Sequence, residues 1–250
     1  MDIHGSVTVV TGGTGGLGSR IAAAFAREGA KVAVVCQSSI DAAHDLASRL
    51  SSETGAQVAA FAADQTDPAA VERLRDEVLA TFGGIDVLVN NAAVNEWIPF
   101  PDLDALTPEL WDHILRTNVT GPFLCARAFA PALRAGGRGR IVNISSIAGF
   151  DAQGSSIAYA SSKAALNHLT RCLAVALAPD VLVNGVAPGY MEGTRMSTKL
   201  PPERVAFGIS SSLLRRPTSR EDVADQVVAF VRSDSTTGQT VCVDAGRYLH

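Results

Sequence analysis

Positive charge is scarce in this chain. Its 21 Lys and Arg residues stand against 25 Asp and Glu, a formal net charge of -4, so no global attraction draws it to nucleic acid or to an anionic membrane surface. Arg134, Arg138 and Arg140 form the one suggestive basic cluster, and they read as a solvated turn. Long apolar runs are missing too: no stretch approaches the ~20 residues of a membrane span. The segment Met1 to Val10 has no basic stretch leading into an apolar one, and the expectation is a soluble, cytoplasmic protein without nucleic-acid or membrane partners. Cys36, Cys125, Cys172 and Cys242 are widely separated in apolar stretches, with no CxxC pair and no His at metal spacing. They are expected to be buried, reduced thiols, and no metal site is expected. His4, His44, His113, His168 and His250 are scattered without an Asp or Cys companion, which suits surface or packing roles.

What the chain does have is apolar material in regular portions. With 250 residues, 47% of them hydrophobic, it can bury a large core as a single domain over residues 1–250. Strand-length apolar runs occur at Val7 to Thr11, Lys31 to Cys36, Gln57 to Ala62, Ile85 to Asn90, Arg140 to Ser145, Val181 to Val186 and Thr240 to Val243. Between them lie stripes at helical period, such as Val71, Leu74, Val78 and Phe82, or Val223, Val227, Phe230 and Val231. Runs without internal alternation, such as Val87-Leu88-Val89, suit strands covered on both faces. The expected fold is α/β: a Rossmann-type, doubly wound sheet of about seven parallel strands with helices on both faces and ligands at the carboxyl ends of the strands.

The first strand runs into Thr11-Gly12-Gly13-Thr14-Gly15-Gly16-Leu17-Gly18 and then a helix. Glycines there allow a tight turn and let a pyrophosphate approach backbone N–H groups at a helix start. The spacing is Gly-x-x-x-Gly-x-Gly over Gly12, Gly16 and Gly18. Farther on, Tyr159 and Lys163 stand four apart in Tyr-Ala-Ser-Ser-Lys, with Ser146 thirteen residues upstream. Residues four apart share a helix face, and an ammonium beside a phenol favours the phenolate, which would bring a pKa near ~10 toward the working range of a general acid or base.

Taken in order, these motifs resemble the short-chain dehydrogenase/reductase family across essentially all of the chain: the Thr11 to Gly18 loop, Asp64, Asn90-Asn91-Ala92-Ala93, Asn118, Ser146, Tyr159, Lys163 and Pro188-Gly189. The resemblance implies a ketone–alcohol oxidoreductase in which Ser146 binds the substrate oxygen and Tyr159 exchanges its proton. Lys163 would tune that phenol and bind the nicotinamide ribose, and Asn118 would hold a water of a proton relay. Ser146 is chosen over Ser145 because the family's serine lies thirteen residues before its tyrosine. Gly12, Thr14, Gly16, Leu17, Gly18 and Ser38 would line the dinucleotide. Asp64 and the Gln65 backbone would meet adenine, Asn91 would lie along the cofactor, and Pro188, Gly189, Met191 and Thr194 would lie at its nicotinamide end. Two departures stand out: Ala93 replaces a customary glycine, and Thr194 falls one place later than usual.

No acid ends the second strand, where Cys36-Gln37-Ser38-Ser39 stands, so the usual exclusion of a 2′-phosphate is lost and NADP(H) is favoured over NAD(H). Trp97, Phe150, Gln153, Tyr190 and Met196 are candidates for the substrate wall, with a loop or lid around 190–215. The leading reading is reduction of a small-molecule ketone or oxidation of the matching alcohol. Reduction of a 3-oxoacyl group on an acyl-carrier protein is a second, and a dinucleotide-binding sensor or scaffold without catalysis is a third. By resemblance the assembly would be a homotetramer.

Overall fold

The computed structural model describes residues 1–249; His250, one of the scattered histidines, and the side chain of Lys199 lie outside the described residues. The elements run β1 (Val7–Thr11), α1 (Gly18–Arg27), β2 (Lys31–Cys36), α2 (Ile40–Thr54), β3 (Val58–Ala62), α3 (Pro68–Phe82), β4 (Val87–Asn90), α4 (Pro108–Leu115), α5 (Gly121–Ala135), β5 (Gly139–Ile144), α6 (Ile157–Leu177), β6 (Val181–Pro188), α7 (Pro202–Ser210), α8 (Arg220–Arg232) and β7 (Thr240–Val243). All seven strands pair in parallel in the order β3-β2-β1-β4-β5-β6-β7, as the apolar runs imply.

Alternation along each strand divides the core between the two faces. From β2, Val32, Val34 and Cys36 pack with α1, α2 and α8, whereas Ala33 and Val35 pack with α3, α5 and the C-terminal half of α6. Both layers exclude water, so these strands carry apolar residues at nearly every position. Strand order reverses between β1 and β4, which pair directly. Their carboxyl ends, with those of β5 and β6, open the crevice that a doubly wound sheet offers a ligand.

Two expectations need correction. Arg140 is not part of a solvated turn: it is buried, donates from Nε to the Val231 carbonyl, and ion-pairs with Asp234. Its place as the second residue of β5 carries it under α8, so its charge requires those partners. Cys36 and Cys125 are buried, but Cys172 is exposed on α6 and Cys242, on the edge strand β7, is only half-buried; all four are free thiols. Among the described residues no helix is long and apolar enough to cross a membrane, and no group of acidic, Cys or His side chains could hold a metal ion.

Candidate active site

Helix α6 starts where Ser156 accepts a hydrogen bond from the Tyr159 backbone N–H, so Tyr159 occupies the first helical turn and Lys163 the next. Lys163 is buried; its Nζ donates to the Ile144 carbonyl at 2.8 Å and lies 5.7 Å from the centroid of the Tyr159 ring. At the end of β5, Ser145 and Ser146 diverge. Both border the cleft, but the Ser145 hydroxyl is buried and committed to the Lys163 carbonyl, while Ser146 Oγ accepts from the Ala148 N–H at 3.1 Å. An accepting hydroxyl still has its own proton to donate.

Burial sets the charge states here. It pulls the Lys163 amine down to about 7 and pushes the Tyr159 phenol upward, with the Ser146 hydroxyl acting in the opposite direction on the phenol. The expected downward tuning of Tyr159 is therefore not what this structure displays, because desolvation disfavours both ions at once. The first-turn position of Tyr159 also sets the phenol near the positive end of the helix dipole. Its hydroxyl has Met196 Sδ at 4.0 Å, so a side chain of the 190–215 segment covers the phenol.

The glycine loop meets this constellation across one cleft of about 1050 Å³. Gly18 lies so close to the Gly12 carbonyl that a Cβ would sit 2.2 Å from its oxygen, and a Cβ on Gly16 would sit 2.3 Å from the Gly193 carbonyl oxygen. A side chain at either position would collide with that backbone, so the loop is close-packed bare backbone; it lines the cleft at the start of α1, which fits a dinucleotide's pyrophosphate. Asn91 ties the loop to β4: its Nδ2 donates to the Thr11 and Gly12 carbonyls, and its N–H donates to Thr11 Oγ1. Thr14, Leu17, Ser38, Asp64, Gln65, Pro188, Gly189, Met191 and Thr194 all line the cleft.

Several side chains are differently engaged than the spacing suggests. Asp64 accepts from Thr66 N and Oγ1 and from Gln37 Nε2, which hold its carboxyl below its usual value against the cost of burial. The Asn118 side chain exchanges hydrogen bonds with the Val94 backbone in both directions and donates to Ser162, and it does not line the cleft. Its amide is thus committed to protein. It lies in a π-helical turn, Arg116–Thr120, where the regular carbonyl ladder is broken and a main-chain group is freer to take a water. Gln65 Nε2 bridges the Ala92 and Thr117 carbonyls, and Thr194 caps the following turn through mutual bonds with Ser197. Ala93 fits without strain, since Arg215 and Ala245 are the only non-glycine residues at positive φ among the described residues.

Of the substrate-wall candidates, Trp97, Gln153, Tyr190 and Met196 line the cleft and Phe150 does not. Phe150 stacks instead on Tyr248, ring centroids 5.4 Å apart, so the C-terminal segment takes its place on the wall. Sequence reasoning missed Arg204, Phe207, Arg247 and Tyr248, which all border the cleft. No local motif marks them, because tertiary packing alone brings α7 and the segment after β7 together.

Comparison with known proteins follows the same lines. The model of the short chain dehydrogenase family matches residues 6–205. A Streptomyces violaceoruber protein described as a ketoacyl reductase of granaticin polyketide synthase is 40% identical, over 97% of this chain and 96% of its own. A cis-4-hydroxycyclohexanecarboxylate dehydrogenase of Sinomonas cyclohexanicum is 36% identical, over 96% and 95%. A solved structure from Burkholderia xenovorans, described as a short-chain dehydrogenase/reductase, superposes with a TM-score of 0.89 at 31% identity, covering 97% of each chain.

Proposed function

The chain belongs to the short chain dehydrogenase family of oxidoreductases, and on that premise we propose that it interconverts a ketone and a secondary alcohol with NAD(P)(H), Tyr159 acting as general acid and base. The observation that carries this reading is the convergence of Ser146, Tyr159 and Lys163 on the cleft that the glycine loop also borders. When bound, a nicotinamide dinucleotide supplies or accepts the hydride. The chain's own residues manage the proton. In reduction the Tyr159 phenol, kept protonated by burial, donates to the developing alkoxide, whose oxygen the Ser146 hydroxyl also meets. In oxidation the same phenol must ionise; the Ser146 hydroxyl and the helix dipole oppose burial, and Lys163 joins them as an ammonium where its amine, brought down to about 7, keeps its proton. Cofactor oxidation across a panel of ketones tests the reading; no turnover of any ketone or 3-oxoacyl thioester would overturn it.

A 3-oxoacyl group on a carrier protein is the second reading, favoured by the ketoacyl reductase relative. The basic cluster that would greet an acidic carrier does not serve it. Arg140 is buried on Asp234, Arg138 pairs with Asp86 at 3.2 Å, and both sit at the amino end of β5, away from the cleft at the carboxyl ends.

For the cofactor, NADP(H) over NAD(H) remains our proposal. No carboxylate ends β2, and Asp64, already accepting three hydrogen bonds, is poorly disposed to take the ribose diol. Ser38→Asp puts a carboxylate on that wall and is expected to weaken NADPH binding about tenfold or more relative to NADH by like-charge repulsion. Fluorescence titration of the two reduced cofactors checks this, an unchanged ratio being the adverse result.

We propose a homotetramer as the assembly. Phe123 on α5, Val175 on α6 and Val241 on β7 expose 43%, 83% and 38% of their surfaces, and apolar side chains on outer faces suit subunit contacts. Light scattering should return four chain masses; one chain mass contradicts the proposal.

A further inference from the structure

Two arginines line the substrate end of the cleft and, among the described residues, neither is directly paired with a carboxylate. Arg204, on α7, lies 5.2 Å from the ring centroids of both Trp97 and Phe207; Arg247, beyond β7, lies 5.2 Å from the same Phe207 centroid. The two guanidiniums are therefore within twice that distance of each other, and both line the cleft that holds Tyr159. Among the described residues neither has an acidic oxygen within ion-pair distance, whereas Arg20, Arg138, Arg140 and Arg232 each do.

Asp151 and Asp244 favour the Arg247 charge from a distance, but neither pairs with it directly, and both are engaged by other donors. Asp151 accepts from Gln153 Nε2, Gln153 Oε1 in turn accepts from Arg247, and Asp244 accepts from the Gly246 and Tyr248 N–H groups. Burial and the Arg204 charge act against protonation of Arg247 and outweigh the opposing pull of Asp151 and Asp244, yet a guanidinium does not give up its proton near neutral pH. Two half-buried like charges around one ring raise the energy of this arrangement, and an anion between them would lower it. Trp97, Phe207 and the stems of the arginines supply flat apolar walls, while the guanidinium forks supply paired N–H donors of the geometry a carboxylate accepts.

We propose that Arg204 and Arg247 form an oxyanion subsite, so that the substrate is a carbonyl compound bearing a compact anionic group, such as a carboxylate, remote from the carbonyl that Tyr159 protonates. This rests on the ketone–alcohol reading above and adds the substrate's chemical class. Met196, over the Tyr159 hydroxyl, belongs to the same segment as Arg204. A substrate bridging the two would displace Met196 from the phenol and hold the segment down through its anion.

The test uses a ladder of keto acids, 4-oxopentanoate, 5-oxohexanoate and 7-oxooctanoate, each against its methyl ester, and acetoacetyl-coenzyme A against its N-acetylcysteamine counterpart. Wild-type kcat/KM should favour at least one keto acid over its ester by about 10- to 100-fold, the range expected when charge-assisted hydrogen bonds are made or lost. That ratio should collapse in Arg204→Gln/Arg247→Gln and be partly kept in Arg204→Lys/Arg247→Lys, with melting curves establishing that the variants fold. A preference confined to the coenzyme A thioester would place the anion on a phosphorylated carrier arm rather than on a carboxylate, and overturn the compact-substrate form of the proposal. Equal turnover of acids and esters, or a loss that strikes acids and esters alike in the glutamine variant, would leave the arginines as a latch only and overturn it outright. If no ketone is turned over, the hydride-transfer reading fails separately. Tryptophan fluorescence titrated with the keto acids then decides the subsite through Trp97: saturable quenching in the parent that is lost in the glutamine variant supports it, and none in the parent refutes it.

Discussion

Tyr159→Phe is expected to lower turnover by about 10²- to 10⁴-fold, the usual contribution of a positioned general acid, while dinucleotide affinity stays within a few-fold and the melting temperature does not fall. The stability half follows from the contacts. Apart from the neighbouring Ser146 hydroxyl, the phenolic oxygen has only Met196 Sδ, at 4.0 Å, and burial of the hydroxyl is a cost that phenylalanine avoids. Ring packing is retained, as is the backbone N–H bond to Ser156 that starts α6. A buried hydroxyl with so few partners in the fold is what the proposed role of Tyr159 requires. Steady-state kinetics, cofactor titration and calorimetry on one preparation separate the outcomes. Near-normal turnover would remove Tyr159 from the reaction, and a large drop in melting temperature would make its hydroxyl structural.

Local physics made most of this site legible before any coordinates. Glycines between a strand and a helix, a serine at a strand end, and a tyrosine and lysine one turn apart are short-range signals, and each carries its geometry with it. The strand runs were equally local, since a doubly covered parallel strand is apolar throughout. What escaped detection depends on long-range placement. Arg140 looks exposed beside glycines and Arg138, yet the turn leads into β5 and slides its guanidinium under α8 to Asp234, 94 positions away. Phe150 looks like a wall residue until the chain after β7 returns to stack Tyr248 on it. Asn118 reads as a polar group in search of a water, but its amide partners are Val94 and Ser162, 24 and 44 positions away. Desolvation escapes sequence reasoning in the same way: Tyr159 and Lys163 look like a pair in which one ion stabilises the other, and burial reverses the balance for both.

That burial gives the second large effect. Lys163→Met should abolish activity to the same degree as loss of the phenol, yet raise stability at neutral and mildly acidic pH. Unfolded, a lysine amine titrates near ~10.4; folded, burial brings Lys163 down to about 7. Between those values the unfolded chain binds the extra proton, so the wild-type protein gains stability as pH rises from about 7 toward 10 and carries the full cost of the buried ammonium below about 7. At ~1.4 kcal/mol per pKa unit the cost is on the order of several kcal/mol. Methionine removes it, keeps an unbranched chain of similar size, and gives up one hydrogen bond to the Ile144 carbonyl, worth about 1 kcal/mol. The net gain should be on the order of 2 kcal/mol at pH 6, shrinking and then reversing as pH approaches 10, so that the melting curves of the two proteins cross. Parallel pH profiles would show that Lys163 is not desolvated, and a variant less stable at pH 6 would show that its bond to β5 outweighs its charge. The crossing, if observed, identifies a lysine kept against the interest of the fold, as the proposed role beside Tyr159 requires.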